Sequence, residues 1–301
     1  MNVINCMETD DQQIFEAFKL GFSDYSIKFD MEIETFLKRF FDIEGNQRAH
    51  SFVAFDNEKP IGVVLGGINQ YDGLKTLRCG ALAVAPDYRG KGVSQALMHA
   101  HENVAARKEC SQMMLEVLGE NHRGIHFYEK LGYLKTYNLF YYALSRTVFL
   151  EKKEGVSFIN QNHLKPSCAY SHPIAIKNDD LSEIKTLMND IHTNWQNDFH
   201  YIDKLDKTFI YGIFNGSDYT PLNLVSFVII NDQGKIYKVF THPNHRGNSL
   251  GKSLLDHIFT EHSLEKLVYS TPGNSSIATF LHACGFMKEP LFQYEMIKNL
   301  Y

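Results

Sequence analysis

The sequence predicts an α/β (α+β) protein of two tandem domains, each a mixed, mostly antiparallel sheet flanked by helices. Three observations predict this. Helical and strand-like apolar patterns follow one another in the same order in each half of the chain. Two short motifs recur, also in the same order, at nearly the same offset. Finally, 301 residues with 44% hydrophobic content can fill two ordinary cores.

The first recurring motif is VAPDYRGKGVSQALMHA (Val84–Ala100), which returns as FTHPNHRGNSLGKSLLDHI (Phe240–Ile258). Each copy has a Pro three residues before Arg-Gly and then a helical apolar pattern. The second is NHRGIHFYEKLGY (Asn121–Tyr133), which returns as NSSIATFLHACGF (Asn274–Phe286). The expected division is an N-terminal domain over 1–145, a linker over 146–172 and a C-terminal domain over 173–301. The linker carries EKKEG, NQN and Pro166, but its apolar islands Val148–Leu150 and Val156–Ile159 allow it to pack partly as strand.

The elements of the first half follow in order. Amphipathic patterns predict helices over Gln12–Leu20 and Glu32–Phe41, the latter with Phe36, Phe40 and Phe41 at core spacing. Strands Ser51–Phe55 and Ile61–Leu65 form a hairpin through the turn DNEKP. A longer strand, Thr76–Val84, runs into the Arg-Gly loop, and the next helix buries Val93, Ala96, Leu97, Ala100 and Val104. A strand over Met113–Leu118, a short helix over Arg123–Leu131 and a last strand complete the half. The second half repeats this with a helix near Leu181–Ile191, strands Thr208–Phe214 and Leu222–Ile230, an NDQG turn and strand Lys235–Thr241.

Charge and cysteine usage exclude several classes. A net charge of −5 argues against an electrostatic nucleic-acid binder. The five cysteines are odd in number, widely spaced and without a CxxC, so no disulfide framework or zinc site is expected. His122 and His126 stand four apart, and His242 and His245 flank Pro243-Asn244, but no third ligand falls at a suggestive spacing, so no metal is expected. The N-terminus has no basic and apolar regions of a signal peptide, and the apolar run Leu224–Ile230 is too short to span a bilayer. A soluble, cytoplasmic protein without a membrane partner is expected, monomer or homodimer.

Arg89-Gly90-Lys91-Gly92-Val93-Ser94 lies between a strand and a helix. A helix N-terminus leaves backbone N–H groups unpaired and attracts an anion. The glycines let the backbone approach a pyrophosphate, Arg89 and Lys91 add charge, and Ser94 adds a hydroxyl. A glycine-rich turn that merely starts the helix remains the alternative. The run Gly67 to Thr76 departs from a P-loop at Leu74, and Gly90-x-Gly92-x-x-Gln95 lacks the third glycine of a dinucleotide fingerprint.

The order of elements, the RGKGVS loop, the LEV strand and the NxxxxxxYxxxGY spacing together resemble the GNAT superfamily of acetyltransferases, as a tandem two-domain member. The resemblance covers both halves and implies two GNAT-like domains. It implies acetyl-CoA as co-substrate, its pyrophosphate cradled across Arg89–Ser94 and its pantetheine arm beside Leu82, Ala83, Val84 and Asn121. Ser94 stands where the family has Gly or Ala.

Acetyl transfer from a thioester to an amine needs a base for the amine, donors for the carbonyl oxygen and an acid for the leaving thiolate. By resemblance Tyr128, four residues before Gly132, is the acid and Glu116, within the apolar strand Met113–Leu118, the base. Without the resemblance, Glu116 reads as a strand residue facing water and Tyr128 as a core aromatic. His122 and His126 border the same segment and could relay a proton, or are surface histidines. Asp24 and Tyr25, between the first two helices, are candidates for holding the acceptor, with Glu32 and Asp72 as helpers; helix capping explains Ser23-Asp24 equally well.

In the second half Ser249 replaces the central glycine, Leu281 stands at the Tyr128 position, and the repeat offset puts Tyr269 at the Glu116 position. A degenerate, non-catalytic domain is expected there. The predicted function is acetyl transfer from acetyl-CoA to a primary amine of a small molecule or peptide, by direct transfer in a ternary complex. The alternatives are a non-catalytic acyl-CoA-binding sensor or scaffold, and a transferase using a longer acyl-CoA.

Overall fold

A computed structural model describes residues 1–25, 27–157, 170–177, 181–188, 191–273 and 277–300. Two compact units emerge, Met1–Tyr137 with Gln293–Tyr301, and Asn138–Phe292. The units are therefore not the contiguous stretches expected from sequence, because the last strand of the chain belongs to the first unit.

The first unit opens with β1 (Asn2–Asn5) and α1 (Asp11–Gly21), whose start is fixed by a reciprocal capping box between Asp10 and Gln13. Helix α2 (Ile33–Leu37) continues as a π-helical turn over Lys38–Ile43. The widened turn shifts the helical phase, so that the adjacent Phe40 and Phe41 are both buried with Phe36. Strands β2 (Phe52–Asp56), β3 (Lys59–Tyr71) and β4 (Leu74–Val84) follow. The β3–β4 turn at Asp72-Gly73 takes positive φ at both residues, the twist-matched choice for a two-residue hairpin. Strand β3 runs six residues past the end expected at Leu65.

Helix α3 (Val93–Arg107), β5 (Gln112–Leu118) and α4 (His122–Lys130) complete the contiguous part. The strand order is β1-β2-β3-β4-β5 and then the last strand of the chain, with the β4–β5 pairing parallel and the others among the described residues antiparallel. Two cores cover the two faces. One packs Val93, Leu97, Val104, Ile125 and Tyr128 of α3 and α4 against Leu77, Cys79, Leu115 and Val117. The other packs Ile14, Phe18, Phe36 and Phe40 of α1 and α2 against Val63, Leu65, Ala81 and Ala83.

Strand β6 (Leu134–Ser145) leaves the first unit after Tyr137 and, from Leu139 on, pairs antiparallel with β11 of the second unit. Residues 146–157, expected as linker with strand character, instead form helix α5 (Arg146–Ser157), in which Phe149 is buried against Phe259. Of the apolar run Val148–Leu150 the helix buries Phe149 and leaves Leu150 exposed. The expected strand residues 158–159, and Pro166 and Cys168, lie outside the described residues.

The second unit adds β7 (Ile174–Ala175), α6 (Leu181–Leu187), α7 (Phe199–Ile202), β8 (Thr208–Phe214), β9 (Leu224–Asn231), β10 (Lys235–Thr241), α8 (Leu250–Glu261), β11 (Lys266–Pro272) and α9 (Ile277–Cys284). Its order is β6-β11-β10-β9-β8-β7, again with one parallel pairing, β10–β11. Helix α6 ends at Leu187, short of the expected Ile191; residues 189–190 lie outside the described residues. Strand β12 (Met287–Asn299) begins in this unit, and its residues Gln293–Asn299 pair antiparallel with Leu118–Gln112 of β5. Each unit's sheet thus has a strand from the other half of the sequence next to β5 or β11. Sequence periodicity specifies a strand but not its partner.

Candidate active site

The parallel ladder between β4 and β5 runs from Thr76↔Gln112 to Cys79↔Leu115 and stops there. Beyond it the two strands carry no further pairing, which leaves a notch in the sheet. One cause lies in β4, where the register with β3 slips between Leu65 and Gly66 and Gly80 drops out of the ladder. Gly80, Ala81 and Leu82 form one side of the notch, and Glu116, Val117 and Leu118 form the other.

A cleft of about 650 Å³ opens at the wide end of this notch. Leu82, Ala83, Val84, Arg89, Gly90, Ser94, Asn121 and Tyr128 line it, and so do Asp24 and Tyr25. Lys91, Gly92 and Val93 do not line it. Lys91 places its ammonium 5.3 Å over the Tyr88 ring, and the Val93 side chain is buried in the core. The sequence reading missed Gln95, Arg123, Phe127 and Lys130, which also line the cleft. Part of the signal was available, since Arg123, Phe127 and Lys130 recur every third or fourth residue along one face of α4.

The Arg-Gly loop presents main-chain donors to this cleft. Gly90 and Gly92 hold φ of +76° and +86°, a region costly to any residue with a Cβ. No atom lies within 4 Å of where a Cβ would sit on either, so glycine is needed for its dihedral and not for room. No side chain caps α3, whose first intrahelical bond is from Ala96 N–H to Gly92 O at 3.0 Å. The amides of Val93, Ser94 and Gln95 therefore precede the hydrogen-bonded helix, as an anion site requires.

Arg89 lines the cleft and is held there by several acceptors. Its guanidinium donates to both carboxylate oxygens of Asp24 at 2.6 Å, to Gly21 O at 3.1 Å and to Val84 O at 3.0 Å. Arg89 therefore ties the loop after α1 to the end of β4, and Asp24 spends both oxygens on it. Asp24 titrates below its ordinary range, chiefly through this hydrogen bond. Asn121 caps α4 by accepting from Gly124 N–H at 3.0 Å, and its side chain also bonds Tyr25. Burial raises the Tyr25 phenol above its ordinary pKa, with nearby Glu120 adding to the effect.

Tyr128 is buried at 9% exposure, between Phe127 and Tyr133 with ring centroids at 5.5 and 5.9 Å. Its hydroxyl has no hydrogen-bond partner among the described residues. Burial, with Cys79 and Tyr25 adjacent, pushes its pKa well above the ordinary value and keeps it protonated.

Glu116 does not line the cleft. Its neighbours Leu115 and Val117 lie in the α3/α4 core with Tyr128, so strand alternation turns Glu116 to the opposite face. It is half-buried and is the first β5 residue past the last ladder pair. Tyr128 and Glu116 thus stand on opposite faces of one notch. His126 lines the cleft and His122 does not. Glu32 is absent from the lining, and Asp72 stands at the β3–β4 turn.

The second unit repeats the loop geometry with different side chains around it. Gly247 and Ser249 repeat the left-handed φ of Gly90 and Gly92, at +85° and +58°, although Ser249 has a Cβ. Arg246 repeats the bond to the preceding strand, donating to Thr241 O at 3.2 Å. The loop borders a cavity of about 430 Å³. The β10–β11 ladder ends at Ile236↔Tyr269, so the residue at the notch corresponding to Glu116 is Ser270, one past the expected Tyr269, which packs in the core. The repeat offset changes between motifs, and a one-residue error reverses a strand's faces. Asn194 and Asn197 donate to Ser270 and occupy that notch. Leu281 is buried and supplies no proton donor. The counterpart of Asn121, Asn274, lies outside the described residues.

Comparison with known proteins agrees with this layout. The family model described as acetyltransferase (GNAT) family matches residues 12–133 and 176–286, one match in each half. A protein of Schizosaccharomyces pombe, N-alpha-acetyltransferase 30, is 34% identical over 99 residues, covering 32% of this chain and 65% of the relative. N-alpha-acetyltransferase 30 of Saccharomyces cerevisiae is 29% identical over 102 residues, 32% of this chain and 57% of the relative. The matches thus span somewhat over half of these relatives' length. Among solved structures, a tandem GNAT protein from the clavulanic acid biosynthesis pathway covers 99% of this chain and 97% of its own, with TM-score 0.64 and 13% identity, a likeness of fold. The chain belongs to the acetyltransferase (GNAT) family.

Proposed function

We propose that the protein is an N-acetyltransferase whose first unit moves an acetyl group from acetyl-CoA to a primary amine, by direct transfer in a ternary complex. The observation that carries this reading is the notch in the β4–β5 ladder, with the uncapped start of α3 at its wide end and Tyr128 and Glu116 on its two faces. The residues fit the co-substrate. The Ser94 and Gln95 amides, with Arg123 and Lys130 nearby, suit a pyrophosphate, and the edge of Leu82–Val84 that faces β5 suits an extended pantetheine arm. When bound, acetyl-CoA supplies the thioester.

The chain's own groups manage the protons. Glu116 accepts a proton from the acceptor nitrogen on one face, and the Tyr128 hydroxyl delivers one to the departing sulfur on the other. The nitrogen–carbonyl carbon bond forms as the carbon–sulfur bond breaks. Arg89, fixed by Asp24, holds the loop after α1 against the cleft and so shapes the acceptor side. The second unit, with Ser270 and Leu281 at the corresponding positions, takes no part in proton transfer. The likeness to N-alpha-acetyltransferases favours α-amino groups among the acceptors.

Calorimetric titration of CoA into the full chain, followed by free-thiol release from acetyl-CoA over a panel of amines and peptides, tests the reading. CoA binding with turnover on at least one amine supports it. Binding with no turnover on any amine favours a non-catalytic sensor, and no binding removes the reading altogether. Competing acyl donors in the same assay report the chain length accepted.

A further inference from the structure

The cavity of the second unit differs in charge from the cleft of the first. Its volume, about 430 Å³, falls among small-molecule sites, and its whole described lining belongs to the second unit. No aspartate or glutamate lines it, whereas Arg246 and Lys252 do. Arg246 holds the repeat position of Arg89. Arg89 spends its guanidinium on Asp24, but Arg246 donates only its Nε, to Thr241 O at 3.2 Å. The other two guanidinium nitrogens, and the Lys252 ammonium, have no partner among the described residues. The start of α8 adds to this positive end. Ser249 makes no side-chain cap, and the first intrahelical bond runs from Ser253 N–H to Ser249 O at 3.0 Å. The amides of Leu250, Gly251 and Lys252 are thus left over, in three residues that line the cavity.

Asn194 and Asn197 also line the cavity, and each is 1% exposed. Both donate Nδ2 to Ser270 Oγ at 3.2 Å, and Asn197 Nδ2 also reaches Ser270 O at 2.7 Å. That commits the nitrogens and leaves the Oδ1 of each buried without a partner. A buried acceptor left bare is costly, so these two oxygens call for N–H donors. Ile277 and Phe280 of α9 supply an apolar wall. Phe280 packs directly on the start of α8 because Gly251 has no side chain, where a Cβ would fall 2.7 Å from the ring. CoA does not suit this cavity. Ser249 sets a Cβ and a hydroxyl where Gly92 leaves open space before its loop, and the two asparagines fill the gap beside β11 that an extended arm would enter.

We propose that this cavity is a second ligand site, for a small amphipathic carboxylic acid that carries an amide N–H, of the N-acylated amino acid class. The carboxylate meets Arg246, Lys252 and the free amides of α8. The amide N–H serves the asparagine oxygens, and the apolar body lies against Ile277 and Phe280. A carboxylate fits the space that Ser249 narrows better than a diphosphate does. The site does not depend on acetyl transfer in the first unit.

The test titrates N-acetyl-L-phenylalanine into the full chain, with and without saturating CoA, and follows binding by NMR. Saturable binding that CoA does not diminish is expected. Removing the charge, as N-acetyl-L-phenylalaninamide, or the amide, as 3-phenylpropanoate, should each weaken binding roughly tenfold or more, the worth of a charge-assisted or buried hydrogen bond. The double variant Arg246→Gln with Lys252→Gln should weaken the acid at least as much, while its melting temperature and CoA affinity stay near wild type. Four results overturn the proposal: no saturable binding, equal affinity for either analogue, displacement by CoA, or wild-type affinity in the double variant.

Discussion

Tyr128→Phe removes one oxygen and nothing else. The ring keeps its neighbours Phe127 and Tyr133, and no hydrogen bond among the described residues is lost. Folding stability should therefore stay within about 1 kcal/mol of wild type, since no partner is orphaned. A positioned general acid contributes roughly 10²- to 10⁴-fold to rate, about 3–5.5 kcal/mol of barrier. If the phenol acts on the leaving group and not in binding, CoA affinity should change less than about threefold, under 1 kcal/mol. Thiol release at saturating acetyl-CoA, paired with calorimetry and thermal unfolding, separates these quantities. Burial keeps the phenol protonated through neutral pH, so wild-type turnover should show no alkaline loss from Tyr128 near its ordinary value. A Phe variant retaining half the wild-type rate, or losing CoA affinity in proportion to rate, would refute the assignment.

Four further outcomes are expected. Glu116→Gln should lower kcat by about 10²-fold or more with CoA affinity unchanged, as measured by the same pair of assays. Gly92→Ala, forced to φ +86° with a Cβ, should cost about 1–2 kcal/mol by urea unfolding and weaken CoA, although nothing crowds the new methyl. Ser249→Gly relieves a residue at φ +58° and should stabilise the second unit by up to about 1 kcal/mol, read by the same method; destabilisation would mean that its hydroxyl matters. His101 is buried, and its pKa is pushed down to about 4 from 6.5. Its unfolded form therefore binds a proton first as pH falls, so its contribution is full above pH 6.5 and is lost between 6.5 and 4, by about 3 kcal/mol. Unfolding free energies across that range should fall less steeply in His101→Gln.

Much of this was legible in the sequence. The strands Thr208–Phe214 and Lys235–Thr241 begin and end where alternation and turn residues place them. The RGKGVS loop, with glycines at the two positive φ positions, announces a helix that starts without a cap. Other features were not legible, for identifiable reasons. Arg89 reads as positive charge beside the glycines, whereas its bonds to Asp24 depend on the loop after α1 folding back, a tertiary fact. Residues Arg146–Ser157 read as linker because their charges are dense, yet one buried face anchored by Phe149 suffices for a helix. The pairing of Glu295 opposite Glu116 gave no signal, since the two stand some 180 positions apart in the chain.

That pairing has a consequence during synthesis. Strand β5 is made long before Gln293–Asn299, the segment that pairs with it. Until Gln293–Asn299 leave the ribosome, the outer edge of β5 has no partner and is open to pairing with another nascent chain. Deleting Gln293–Asn299 should leave that edge of β5 bare and unsettle the notch, although the notch's other parts lie in the first half of the chain.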